Sequence, residues 1–198
     1  MVHARENLDI TLVGRTDLGM LSVRTGALPI VPGKNFFVGR VKRNLLKQSY
    51  VGAIFTQGNP ALAASSSTFG GDLRLATSRL LGQSRNLVVN AYGVRSMNEG
   101  RSGKDWSYGL SAEYPNDLLQ MEFMWRDVQE NFRPALGFVS RNNVRLLRVG
   151  GRYSPRPKKF LDIQQMHNGI YYTRFTRLDN KQLESSELYF IAPIDWHF

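Results

Sequence analysis

Residues 106–126 form two runs in which apolar and polar side chains alternate, separated by the turn-forming sequence Pro-Asn-Asp at 115–117. The apolar positions are Trp106, Tyr108, Leu110, Ala112 and Tyr114, then Leu119, Met121, Phe123 and Trp125. A period of two residues is typical of a β-strand with one apolar and one polar face. The segment therefore predicts an antiparallel hairpin. Folding it about Asn116 would place Trp106 beside Trp125, away from the turn.

One face of this hairpin is apolar along its whole length and aromatic at both ends. That pattern is typical of a strand pair that faces lipid, with aromatic girdles at the two membrane interfaces. The inner face of a soluble β-sandwich would also be apolar, so the hairpin alone leaves both folds open. For the membrane interpretation, the expected interface aromatics are Trp106, Tyr114, Trp125 and Tyr153.

The composition excludes several other classes of protein. The chain has 198 residues, enough for a single domain over 1–198, and no cysteine for a disulfide or a thiolate metal site. No apolar run approaches the roughly 20 residues of a membrane helix. The first residues lack the apolar stretch of a signal peptide, so we expect an exported protein to be a mature form or an excised piece.

The formal net charge of +10 suggests an anionic partner. Nucleic acid, acidic polysaccharide and lipopolysaccharide phosphate all fit a basic chain. The alternating pattern disperses Lys and Arg instead of grouping them in long runs, which disfavours nucleic acid.

The same alternation along the chain predicts about eleven strands and no helix, because no long segment keeps a period of 3.6 residues. The strand at 158–176 contains His-Asn-Gly at 167–169, which could form a hairpin turn or a bulge; we favour one long strand. The predicted strands are 8–13, 18–24, 34–43, 48–56, 70–79, 85–95, 106–114, 119–126, 144–154, 158–176 and 184–195.

The predicted connections alternate between short and long. A soluble sandwich has no reason to do this, whereas an outer-membrane barrel has short periplasmic turns and longer external loops. Because bacterial barrels usually have an even number of strands, we expect a strand to be missing before Leu8. The chain is then part of a larger barrel, or another chain completes the barrel.

Several strings resemble an uncharacterised bacterial family with an N-terminal family 9-type carbohydrate-binding module and a C-terminal barrel-like domain. In the family's order, they cover nearly all of the chain. The strings are DLGMLSVRTG at 17–26, NFFVGRVKR at 35–43, YVGAIFT at 50–56, NFRPALGFV at 131–139 and YSPRP at 153–157.

The resemblance implies an outer-membrane location and a link to glycans. The chain departs from the family pattern because it lacks the carbohydrate-binding module and stops short of the usual C-terminal end. It therefore places glycan binding on no residue, and the family offers no catalytic residues to carry over.

Apolar faces that point to lipid would leave a basic lumen that favours anions. We expect Arg174 to join it, with Asp72, Glu113 and Glu122 as its acidic members; the structural alternative is that these charges pair across strands. The expected anion-facing residues are Arg40, Lys42, Arg74, Arg126, Arg148 and Arg152.

The sequence offers little chemistry beyond this. The histidines are His3, His167 and His197, and their spacing from Asp195 and the serines supports no Ser-His-Asp arrangement, metal cluster or catalytic residue. The glycine pairs at 70–71 and 150–151 indicate close approach of strands, not phosphate binding, and no cofactor is expected. The loop 131–138 could serve as a partner or ligand surface, or its two phenylalanines could fold into the barrel mouth, which we favour.

The sequence thus predicts an all-β, antiparallel barrel in the bacterial outer membrane, more consistent with a pore or surface scaffold than with an enzyme. Its expected partners are outer-membrane lipid or lipopolysaccharide and a glycan or other anionic solute. The alternatives are a soluble β-sandwich or open-sheet binding module and, third, a barrel hydrolase.

Overall fold

The computed structural model describes the backbone of residues 8–13 and all atoms of residues 36–59, 65–157 and 163–196. Within these ranges the chain contains strands and no helix, and therefore no helix that could cross a membrane. The predicted strand at 18–24 lies outside the described residues. The strands are β1 (Leu8–Val13), β2 (Phe37–Leu46), β3 (Ser49–Gln57), β4 (Ser66–Thr77), β5 (Leu87–Asn98), β6 (Trp106–Pro115), β7 (Leu119–Val128), β8 (Val144–Tyr153), β9 (Ile163–Met166), β10 (Asn168–Arg177), β11 (Leu183–Ile191) and β12 (Ile194–Trp196).

Ten strands form one antiparallel sheet in the order β1-β2-β3-β4-β5-β6-β7-β8-β10-β11, and β9 pairs with β12 in a small second sheet. This meander confirms the predicted all-β, antiparallel class. Within the described residues, β1 and β11 are the two edges and do not pair with each other, so the sheet there is open.

The period of two gives the large sheet two different faces, because paired residues on neighbouring strands point to the same side. The polar face carries Arg40, Asp72, Tyr92, Ser107, Arg126 and Arg148, and the apolar face carries Phe55, Leu73, Leu110, Phe123, Val149 and Ile170.

The register of the β6–β7 hairpin differs from the prediction. Pro115 pairs with Gln120, so the turn is 116–118, and Leu110 lies opposite Trp125. Trp106 instead meets Gln129, whose backbone N–H donates to its carbonyl over 2.9 Å. The prediction that Trp106 lies beside Trp125 was therefore wrong. The shift is an even number of residues, so every side chain keeps its predicted face.

The predicted long strand at 158–176 is interrupted at His167, where the backbone N–H donates to the carbonyl of Pro193 over 3.0 Å. β9 and β10 continue on either side of this break, paired with β12 and β11. The hairpin turn lies at 178–182, as predicted, and 167–169 is not a turn between paired strands.

Connections at one end of the sheet, the turn end, include the tight turns 47–48 and 116–118. The opposite end, the loop end, carries 99–105 and 129–143. The predicted alternation fails at 78–86, which lies at the turn end but is long. Within this connection, Leu81 and Gly82 have φ angles of 51° and 77°. Two successive residues in the left-handed region are what a tight turn of type I′ requires.

The packed core of the described residues is small and lies on the polar face. The connection 129–143 folds onto that face, where Phe132 is buried with Val128 and Val144. Phe132 thus folds inward as expected, whereas Phe138 is 91% exposed and does not.

Asp179 in the β10–β11 turn supports a prediction about pH. Arg177 donates to its carboxylate over 3.1 Å, and this bond, aided by the Asn180 N–H, lowers the pKa of Asp179 from 3.8 to about 2. Because the folded-state pKa is depressed, this stabilisation should be complete above about pH 4 and lost as the pH falls towards 2.

Carbon NMR of the Asp179 carboxyl should show a midpoint near 2. Asp179→Asn should remove that signal and reduce the loss of thermal stability between about pH 4 and pH 2. A midpoint at or above 3.8 would contradict the assignment.

Candidate functional site on the polar face

Strand register brings all six of the predicted anion-facing residues onto the polar face. Lys42 aligns through Gly52, Asp72 and Tyr92 with Arg126 on β7, and Arg74 aligns through the neighbouring strands with Arg148 on β8. On this face the basic side chains Arg40, Lys42, Arg74, Arg126, Arg148, Arg152 and Arg177 outnumber the acidic side chains Asp72, Glu113, Glu122 and Glu187 among the described residues.

Ion pairs neutralise part of this charge. Arg40 donates to both carboxylate oxygens of Asp72, over 2.9 and 3.0 Å, and Arg148 pairs with Glu122. The structural alternative, that charges pair across strands, therefore accounts for two of the six predicted anion-facing residues.

The other basic side chains of the predicted six have neutral neighbours. Lys42 lies over the Tyr50 ring at 4.6 Å, and Arg74 donates to the side-chain amide oxygen of Asn90 over 3.3 Å. The Nε of Arg152 is buried and has no hydrogen-bond partner among the described residues. The polar face thus keeps a cationic excess, to which Lys42 and Arg74 on β2 and β4 contribute as well as Arg126 and Arg152 on β7 and β8.

Arg174 does not belong to this set, because it pairs with Leu147 on the apolar face. The expected position of Arg174 in the lumen was wrong. β10 begins at Asn168, and alternate residues of this strand share a face, so Arg174 lies on the same face as Ile170 and Tyr172.

A buried ion pair, which sequence reasoning missed, lies on the apolar face. The Asp127 side chain is 1% exposed and accepts hydrogen bonds from Arg145 over 2.8 and 2.7 Å. The Tyr108 hydroxyl donates to the same carboxylate over 3.4 Å, and Arg145 lies over the Trp125 ring. The sequence did contain a sign of this position, because Asp127 lies two residues after Trp125 and therefore on the same face of the strand.

The four predicted interface aromatics all lie on the apolar face. Trp106 and Trp125 lie towards the loop end of the sheet, and Tyr114 and Tyr153 towards the turn end. Trp106 packs edge-on against Phe69, with ring centroids 6.1 Å apart.

Glycines on the polar face allow large neighbours to pack closely. A Cβ at Gly109 would lie 2.9 Å from the Tyr92 ring, and one at Gly150 would overlap the Tyr171 ring. This confirms the interpretation of the glycine pair at 150–151 as a close approach of strands.

The structure assembles a Ser-His-Asp hydrogen-bond chain that the sequence analysis did not predict. His167 Nδ1 lies 3.0 Å from Ser154 Oγ, and its Nε2 lies 3.0 Å from Asp195 Oδ2. The three residues are far apart in sequence and meet only because β9 pairs with β12. Nearby, Arg156 hydrogen-bonds to Asp117 and lowers the pKa of that carboxyl.

Ser154 is 1% exposed, so its hydroxyl presents no open side to a substrate. The arrangement therefore supports a structural bridge between the small sheet and the end of β8. His3 and His197, two of the histidines considered from the sequence, lie outside the described residues.

Replacement of His167 tests this bridge. His167→Ala removes the side-chain hydrogen bonds to Ser154 and Asp195. Amide exchange should therefore accelerate in β9 and β12, while β10 and β11 stay protected. Exchange measured by mass spectrometry in detergent checks this, with the exposed residue Gln164→Ala on β9 as control. Labelling of Ser154 by a fluorophosphonate would contradict the structural role and favour hydrolysis.

In the part of the chain that the structure describes, no cluster of three His, Asp or Glu side chains could hold a metal ion. No family model, curated protein or solved structure matches the chain.

Proposed function

We propose that the chain forms part of a β-barrel in the bacterial outer membrane and serves as a pore or surface scaffold with a basic lumen. The uncovered apolar face is the observation that carries the proposal. Leu110, Phe123 and Val149, central to that face, are 41%, 38% and 45% exposed. In a soluble sandwich such residues would pack against a second sheet.

The distribution of side chains over the two faces also supports lipid as the neighbour of the apolar face. Aromatic rings lie towards both ends of that face, as in the girdles of membrane barrels. Among its charged groups, Arg145 pairs with Asp127 and Arg95 with Asp105, both near the loop end. Arg174, beside Leu147, would have to extend its guanidinium along the apolar face to reach an interface. The proposed partners of this face are outer-membrane lipid and lipopolysaccharide.

Barrel closure follows from the same environment. An exposed sheet edge in lipid leaves backbone N–H and C=O groups without partners, at a cost of several kcal/mol each. We therefore propose that further strands, from this chain or from another chain, close the sheet at the β1 and β11 edges.

The polar face would then line the lumen. Its cationic excess would concentrate anions, because charges in a confined, low-dielectric passage focus their field. The proposed solutes are therefore anionic, and the family resemblance extends this to anionic glycan fragments.

Detergent dependence is the first test of the membrane proposal. The purified chain should require detergent or lipid to remain monodisperse and, once folded, should migrate differently on gels before and after heating. Sedimentation in the presence and absence of detergent measures the first property. A monodisperse monomer without detergent would contradict the proposal and favour the soluble module.

Charge reversal tests the lumen. In planar bilayers, wild-type protein should conduct anions in preference to cations, and Arg148→Glu with Arg152→Glu should reverse the preference, because both replaced side chains lie on the polar face. Lys104→Glu with Lys181→Glu makes the same change of net charge in connections and should leave the preference unchanged. An unaltered preference in the first variant would remove the pore hypothesis.

A further inference from the structure

A cavity of about 320 Å³ lies between the connection 129–143 and the polar face of β2 to β5. This volume is at the lower end of the range of roughly 300–1,000 Å³ found for small-molecule sites. Pro134 and Leu136 line it from the connection, and Arg40, Thr68, Asp72 and Tyr92 line it from the strands.

Specific hydrogen bonds hold the connection above the cavity. The Arg133 N–H donates to Ser96 Oγ over 2.7 Å, and its carbonyl accepts from the Asn98 side chain over 3.0 Å. The Asn142 side chain donates to the carbonyl of Phe132, whose ring is buried. The backbone before Pro134 is therefore fixed on both sides, and the cavity is a constructed feature of the fold.

Thr68 is the polar group that most needs a partner in this cavity. It is 6% exposed, and its Oγ1 is buried with no hydrogen-bond partner among the described residues. Buried hydroxyl groups in folded proteins nearly always have a partner. Because Oγ1 has almost no accessible surface, a ligand in the cavity would supply this partner after a change of the Thr68 rotamer that turns the hydroxyl towards the cavity.

The charges in the cavity favour a neutral ligand over an anion. Arg40 and Asp72 are bonded to each other, so together they add no net charge while their remaining lone pairs and N–H groups can still bind a hydroxyl. Tyr92 also lines the site, and its hydroxyl lies 3.1 Å from Ser107 Oγ on β6.

The apolar walls complete the description of the ligand. Ile54 and Val94 on the strands and Leu136 on the connection present hydrocarbon surface beside the polar groups. A cyclic polyol or sugar ring has this same mixture, since its edge carries hydroxyl groups and its faces carry C–H groups. We propose that the cavity binds one neutral, polyhydroxylated small molecule, with Thr68 as a direct hydrogen-bond partner.

Water alone is the alternative occupant. A single water takes up about 30 Å³, so several would be needed to fill the space, and a hydrated cavity would show no saturable ligand binding. The proposal does not depend on the pore, because the cavity lies within the described strands and their own connection.

The test uses the full chain folded in a zwitterionic detergent, because glucoside and maltoside detergents carry sugar headgroups that would compete. Myo-inositol and D-glucose are the neutral probes, and phosphate and acetate are the anionic ones. Saturation-transfer NMR and calorimetry should show saturable binding of at least one neutral probe and weaker binding of both anions.

Thr68→Val keeps the shape of the side chain and removes the hydroxyl, so it should weaken binding of the neutral probe about tenfold. The control is Thr173→Val, the same replacement on the polar face of β10, outside the cavity, which should bind like wild type. Leu136→Trp should fill the space and abolish binding if Thr68→Val fails to fold.

Equal affinity in the wild type and Thr68→Val would overturn the proposal. So would stronger binding of phosphate or acetate, or no binding of any probe, which would assign the cavity to water. Because binding is measured in micelles and conductance in bilayers, a failure here is distinguishable from a failure of the pore.

Discussion

The alternation of apolar and polar side chains, broken on the apolar face at positions such as Asp127, Arg145 and Arg174, is the constraint on which the rest of this structure depends. A strand with that pattern has to remove one face from water, and ten such strands aligned in register produce one continuous apolar surface. A soluble protein would cover that surface with a second layer. The described residues supply no second layer on that side, and the only buried apolar cluster lies on the opposite face.

That opposite face is organised by the connection 129–143. Its Phe132 provides the small core, and its backbone carbonyl and N–H groups are bonded to side chains on β5. A long connection on the surface of a sheet would normally be mobile. Here it is held by Ser96 and Asn98, and it covers part of the polar face, so that a recessed site that stays open to solvent forms beneath it.

Sequence reasoning predicted the faces better than the register. An error of an even number of residues in the β6–β7 hairpin misplaced Trp106 but left the apolar face intact, because side chains repeat every two residues. Arg174 was misplaced because the break at His167 resets the count along what looked like one strand. Contacts such as Ser154–His167–Asp195 depend on pairing between remote segments, so no local pattern could indicate them.

The two proposed binding regions lie on the same face but differ in charge. Under the connection, Asp72 cancels Arg40, and the surroundings are hydroxyl groups and hydrocarbon. Along β6 to β8, Glu122 pairs with Arg148, and the two further basic side chains Arg126 and Arg152 outnumber the one further carboxylate, Glu113. Because a focused field acts on charged solutes and hydrogen bonds act on neutral ones, one polar face can attract anions in one region and hold a neutral molecule in another.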